Sequence, residues 1–117
     1  MYEYKAKILN IIDNNCFLVE IDLGFNVFTK QKLRLYGAKV IDASDNAIGV
    51  EARKWMDFLI GSTVIVTTHF TKRSKVGRTM GVVYTINPET MGRGENINET
   101  LIAKGFAIDF KKWDNEV

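Results

Sequence analysis

Five β-type runs, a single helix-period segment after the third of them and a length of only 117 residues predict an α+β chain. Its expected architecture is a five-stranded Greek-key barrel of the OB type with two or three short helices. The length suits one core, so residues 1–117 are expected to form one domain. A composition of 46% hydrophobic and 26% charged residues is that of a folded chain.

The first three runs, residues 4–12, 16–22 and 27–35, are rich in Ile, Val, Phe and Leu. Asp13, Asn14 and Asn15 mark the first turn, and Gly24 with Asn26 the second. Phe17, Val19 and Ile21 fall on one face of their run, and Val27, Leu33 and Leu35 on one face of theirs, the period of half-buried strands. Residues 50–60 change period: Ala52, Trp55, Met56, Leu59 and Ile60 share a helical face, and Gly61 supplies the stop.

Residues 63–70 and 79–86 are strongly β-branched and bracket the basic turn KRSKVGR, which predicts a hairpin. After Pro88, a loop with Gly92 and Gly94 leads to Asn98, read as the N-cap of a short helix that Gly105 closes. The apolar run 106–110 either adds a strand or packs on the barrel.

No stretch approaches the roughly 20 apolar residues of a membrane span, and the start MYEYKAKILN is charged and strand-like, so no membrane association and a cytoplasmic location are expected. Cys16 and His69 are the only Cys and His, which excludes an internal disulfide and a Cys/His metal cluster. The net charge is +2, and Lys72, Arg73, Lys75 and Arg78 lie within seven positions, leaving the rest of the chain at −2. Lys72, Arg73 and Lys75 therefore form a candidate nucleic-acid patch, against the plainer reading of a solvated hairpin tip.

Four motifs occur in order along this pattern: Asp13-Asn14-Asn15-Cys16, Arg34-Leu35-Tyr36-Gly37, Gly77-Arg78, and the run from Asn98 through Leu101 and Gly105 to Ala107. Together they resemble the staphylococcal-nuclease (thermonuclease) domain, whose corresponding motifs read D-G-D-T, R-L-x-G-I-D-A-P-E, D-x-Y-G-R and N-x-x-L-V-x-x-G-x-A. The long second hairpin resembles versions of the domain carried by bacteriophages.

The resemblance implies calcium-dependent cleavage of DNA or RNA, and single-stranded DNA or RNA is the expected partner. Two arginines hold the phosphodiester and stabilise the charge growing on its oxygens, while Ca²⁺ and a glutamate activate water. By motif position the arginines are Arg34 and Arg78, and Asp42 stands at the glutamate, so these three are the candidate catalytic residues. Taken singly, Arg34 reads as a solvent-facing strand residue and Arg78 as one more hairpin cation; it is the coincidence of both with the family's arginine positions that points to phosphate contact.

The departures bear on the metal. Where the family carries four carboxylates, this chain has Asp13, Asn15, Lys39 and Asp42, which sum to −1. Calcium needs several anionic oxygens, so Asp13, Asn15 and Asp42 form a degenerate metal site and no bound cofactor is expected. Asp42 is also one methylene shorter than glutamate, a misplacement able to cost about 10²-fold in rate. Lys39 either puts its ammonium where the metal's charge would be, giving a metal-free phosphate site with Arg34 and Arg78, or points to water. Ser74 and Val76 replace the acid and the aromatic of D-x-Y-G-R. Tyr36, Tyr84, Phe70 and Trp113 are candidates for stacking bases or for core packing.

Three functions fit these residues. One is a nucleic-acid-binding domain of nuclease descent with calcium-dependent cleavage weakened or lost. Another is an active phosphodiester hydrolase in which Asp45 or Glu51 completes a rearranged metal site. The third is a catalytically idle barrel that binds a protein partner.

Overall fold

The computed structural model describes residues 2–44, 46–69 and 79–111. In chain order these form β1 (Glu3–Asp13), β2 (Cys16–Asp22), β3 (Phe28–Leu35), β4 (Ala38–Val40), α1 (Ala47–Met56), a 3₁₀ turn (Asp57–Leu59), β5 (Thr63–His69), β6 (Thr79–Ile86), β7 (Arg93–Asn96), α2 (Ile97–Ala103) and β8 (Ala107–Asp109).

The main sheet runs β3-β2-β1-β5-β6-β7, and a parallel pairing of β3 with β6 closes five of its strands into a barrel. This is the OB-type α+β architecture expected. Alternation builds its core: Phe17, Val19 and Ile21 on β2 and Leu33 and Leu35 on β3 turn inward and are almost wholly buried, beside Ile8, Val64, Val66 and Val83. Each such side chain contributes about 1.5–3 kcal/mol by leaving water. No helix among the described residues is long and apolar enough to cross a membrane.

Helix α1 buries Gly49, Ala52 and Met56 against the barrel and begins at Asn46, whose side chain accepts a bond from the Ile48 amide. It starts three residues earlier than its apolar face suggests, because the first turn is set by the cap and carries the exposed Ile48 and Val50. Gly61 and Gly105 end their helical segments with φ of +83° and +78°, as expected of C-terminal glycines.

Two readings are corrected. Val27 is not part of the β3 face: it is exposed and belongs to the hairpin connection, where Leu23 N donates to Val27 O and Val27 N to Gly24 O. Asn98 does not cap α2. Asn96 does, accepting from the Glu99 amide at 3.0 Å, and Asn98 is the second residue of the helix with its side chain buried. The run at 106–110 does add a strand, β8, antiparallel to β4 with Lys39 opposite Ile108. Phe70 and Trp113 fall outside the described residues.

Candidate functional site

The site is organised around the end of β3. Leu33 and Leu35 point into the barrel, so the alternation of the strand turns Arg34 outward. Register places Arg34 opposite Cys16 on β2 and Met80 on β6, and Met80 opposite His69 on β5. Cys16, Arg34, Met80 and His69 therefore form one row across four strands. Beyond Arg34, the ring of Tyr36 stacks on His69 with centroids 4.1 Å apart and planes 11° from parallel.

Burial lowers the pKa of His69 below its ordinary value, and the positive charges of the amino terminus and Arg93 act in the same direction. The imidazole is therefore neutral near pH 7 and offers Tyr36 an uncharged stacking partner. Arg34, half-buried, makes no hydrogen bond or ion pair with any described residue. A guanidinium in that state is a ready partner for a phosphate, whose oxygens it engages through two parallel donors.

Asn98 holds this end of β3 in place. Its Nδ2 donates to Tyr36 O at 2.8 Å and Gly81 O at 3.3 Å, and its Oδ1 accepts from Val83 N at 3.1 Å. One buried amide thus satisfies backbone groups on both sides of the β3–β6 closure. The asparagine was legible as a motif residue, but nothing local in the sequence indicates that its partners lie 15–62 positions away.

The turn between β1 and β2 is tied to β4 and α1 by two further asparagines. Asn14, almost fully buried, donates from Nδ2 to Ile41 O at 2.8 Å and to Gly49 O at 2.9 Å. Asn15 pairs with the backbone of a single residue: its Oδ1 accepts from Val40 N and its Nδ2 donates to Val40 O, both at 2.8 Å. Asp13 Oδ1 accepts from Asn15 N at 2.7 Å and Asp42 Oδ1 from Ser44 N at 3.2 Å, each closing its own turn. Lys39 is exposed, with its Nζ 5.7 Å from the centroid of the Phe110 ring.

These residues do not fit calcium. The Asn15 oxygen is engaged by an amide proton, its nitrogen is a donor, and an ammonium stands at the next ligand position. Among the described residues no group of three His, Cys, Asp or Glu side chains is placed to hold a metal ion. Glu51 is exposed on α1, and Asp45 lies outside the described residues.

Residues 25–117 match the family described as Staphylococcal nuclease homologue. The chain belongs to the staphylococcal nuclease family. No curated protein matches the chain significantly. Of the residues that the family resemblance marks, Arg34, Lys39, Asp42, Asp13 and Asn15 are described, whereas Arg78 and the cations Lys72, Arg73 and Lys75 lie outside the described residues. Thr79, which follows Arg78 in the sequence, pairs with Leu33 beside Arg34. Tyr84, a stacking candidate, is half-buried and has the Arg93 guanidinium 4.9 Å from its ring centroid.

The Val40 clamp has a direct test. Asn15→Asp keeps an acceptor for Val40 N but sets a carboxylate oxygen against Val40 O, a loss of about 1–3 kcal/mol. In chelator its melting temperature is expected to fall. With Lys39→Asp added, calcium should raise that temperature, because two carboxylates now face the cation. Wild-type stability in Asn15→Asp would mean that the clamp does not hold the turn.

Proposed function

We propose that this domain binds the phosphodiester backbone of single-stranded DNA or RNA through Arg34 without calcium, and that calcium-dependent cleavage has been lost or greatly weakened. The observation that carries this reading is the pairing of an outward Arg34, without a hydrogen bond or ion pair among the described residues, with an Asn15 whose amide bonds both backbone groups of Val40. The phosphate-holding half of a nuclease site is retained, and the half that would gather a cation now serves as a backbone clamp.

Arg78 is the second phosphate contact in this reading, and Lys39 adds positive potential from its seat beside Phe110. Asp42, spent on the Ser44 turn, is a poor water-activating base. The reading does not require Lys72, Arg73 and Lys75 for the core contact; they extend it electrostatically.

A specific observation favours a second reading, a protein contact. The β2–β3 hairpin tip exposes Leu23, Val27 and, completely, Phe25, three apolar side chains within one short connection. Salt separates the two, since phosphate contacts weaken steeply as counterions compete and an apolar contact does not.

In chelator, Arg34→Ala is expected to weaken binding of a labelled single-stranded oligonucleotide by about 10–100-fold, the worth of a charged hydrogen-bonding group. Its melting temperature should stay near that of the wild type. Unchanged affinity in the folded variant would remove this site from nucleic-acid binding.

A further inference from the structure

The outward face of β3 carries more than Arg34. Its pairing with β2 runs without a bulge from Cys16 opposite Arg34 to Asp22 opposite Phe28, so alternate residues keep to one side throughout. Phe28, Lys30, Lys32 and Arg34 occupy that side in succession, and the first three are exposed. An aromatic thus begins the line, three cations follow, and the stacked Tyr36 lies beyond the last of them.

Two residues of a strand advance about 6.4–6.8 Å, close to the span of one nucleotide in an extended single strand. Neither Lys30 nor Lys32 makes an ion pair or hydrogen bond with any described residue, although Glu20 lies opposite Lys30 and Asp22 opposite Phe28. Glu20 is also faced from β1 by Lys7, which leaves that row net positive. The β3–β6 pairing covers only residues 33–35, so among the described residues 28–32 have a strand partner on one side alone.

We propose that this face is a track for a single strand of nucleic acid: Lys32 and Lys30 take the phosphates adjoining the one held by Arg34, and Phe28 stacks an unpaired base at the far end. The proposal rests on the phosphate-binding reading of Arg34. Single strands fit it better than duplexes, because bases must be free to reach an aromatic face while the backbone follows a line of cations.

The test is fluorescence anisotropy in chelator with labelled oligothymidylate, oligouridylate and a duplex of matched length, across a range of salt. Lys30→Thr/Lys32→Thr keeps strand propensity, and Lys54→Ala/Lys104→Ala removes the same charge from the helical side. Loss of two phosphate contacts should reduce the slope of log K against log salt by about 1.4 for a single strand, with no such change in the helical control. A dinucleotide, detected by chemical-shift change, should bind Lys30→Thr/Lys32→Thr like the wild type and be lost in Arg34→Ala.

An unchanged slope in Lys30→Thr/Lys32→Thr, with Arg34→Ala still defective, would overturn the track alone. Full binding by Arg34→Ala would overturn the site reading and the track with it. Duplex binding as tight as the single strand's would also sink the proposal. If the Thr pair fails to fold, Lys30→Gln/Lys32→Gln carries the same measurement.

Discussion

Gly49→Ala should destabilise the domain by more than about 3 kcal/mol, although alanine is favoured over glycine inside a helix by about 1 kcal/mol. The sign is set by close approach. A Cβ at Gly49 would lie 1.8 Å from Asp42 O, 2.4 Å from Asp42 C and 2.8 Å from Ala43 N, all backbone atoms that no rotamer change can move aside. The segment after β4 presses on the first turn of α1 at this point, and Asn14 bonds both sides of the contact, at Ile41 O and Gly49 O.

Relief requires α1 and residues 41–43 to separate, which breaks the Asn14 bridge. A fall in melting temperature of more than about 10 °C is expected for a domain of this size. Gly92→Ala is the matched control, since its Cβ would meet only Thr90 Oγ1 at 3.4 Å. Thermal denaturation of the two variants decides the matter, and equal stability would mean that the segment and the helix are not in contact at Gly49.

Asn98→Leu is the second large effect. Leucine fills a similar volume but removes the amide's bonds to Tyr36 O, Gly81 O and Val83 N, while Gly81 O keeps its bond from Tyr36 N. Losing a buried partner costs about 1–3 kcal/mol per group, so the expected total is about 3–5 kcal/mol in urea denaturation. Because Tyr36 follows Arg34 by two residues, oligonucleotide affinity should also fall at temperatures where the variant remains folded. A cost below about 1 kcal/mol would show that water replaces the amide and that Asn98 is not the pin of the closure.

Much of the barrel was legible because its signal is local. Period-2 alternation marks β2 and β3, a run rich in apolar residues marks β1, β-branched content marks β5 and β6, and the 3.6-residue spacing of Ala52, Met56 and Leu59 marks α1 with its 3₁₀ extension. β4 and β8 escaped notice as a pair because each is three residues long and their ladder joins Ala38 to Asp109, far apart in sequence. Asn96 and Asn98 differ by two positions and are equally good caps; burial against β6 decides between them, and burial is a tertiary property.

For the site, motif order was sufficient to single out Arg34, and alternation alone turns it outward. The destination of Asn15 was not readable. Its substitution for a carboxylate signals a weaker cation site, but the bidentate grip on Val40 depends on β4 lying alongside the first turn. Lys30 and Lys32 were unremarkable as letters, and become a line with Arg34 only once the unbroken β2–β3 register is known.

The most direct test of the central claim is to incubate labelled single-stranded DNA and RNA with the protein in millimolar Ca²⁺ or in chelator, beside the Arg34→Ala/Arg78→Ala protein, and to measure binding and cutting together. Binding that persists in chelator, disappears in the double variant and is accompanied by no calcium-stimulated cutting is the predicted result. Calcium-dependent cutting abolished in the double variant would contradict it, and would mean that a cation is gathered by carboxylates other than the Asn15 position.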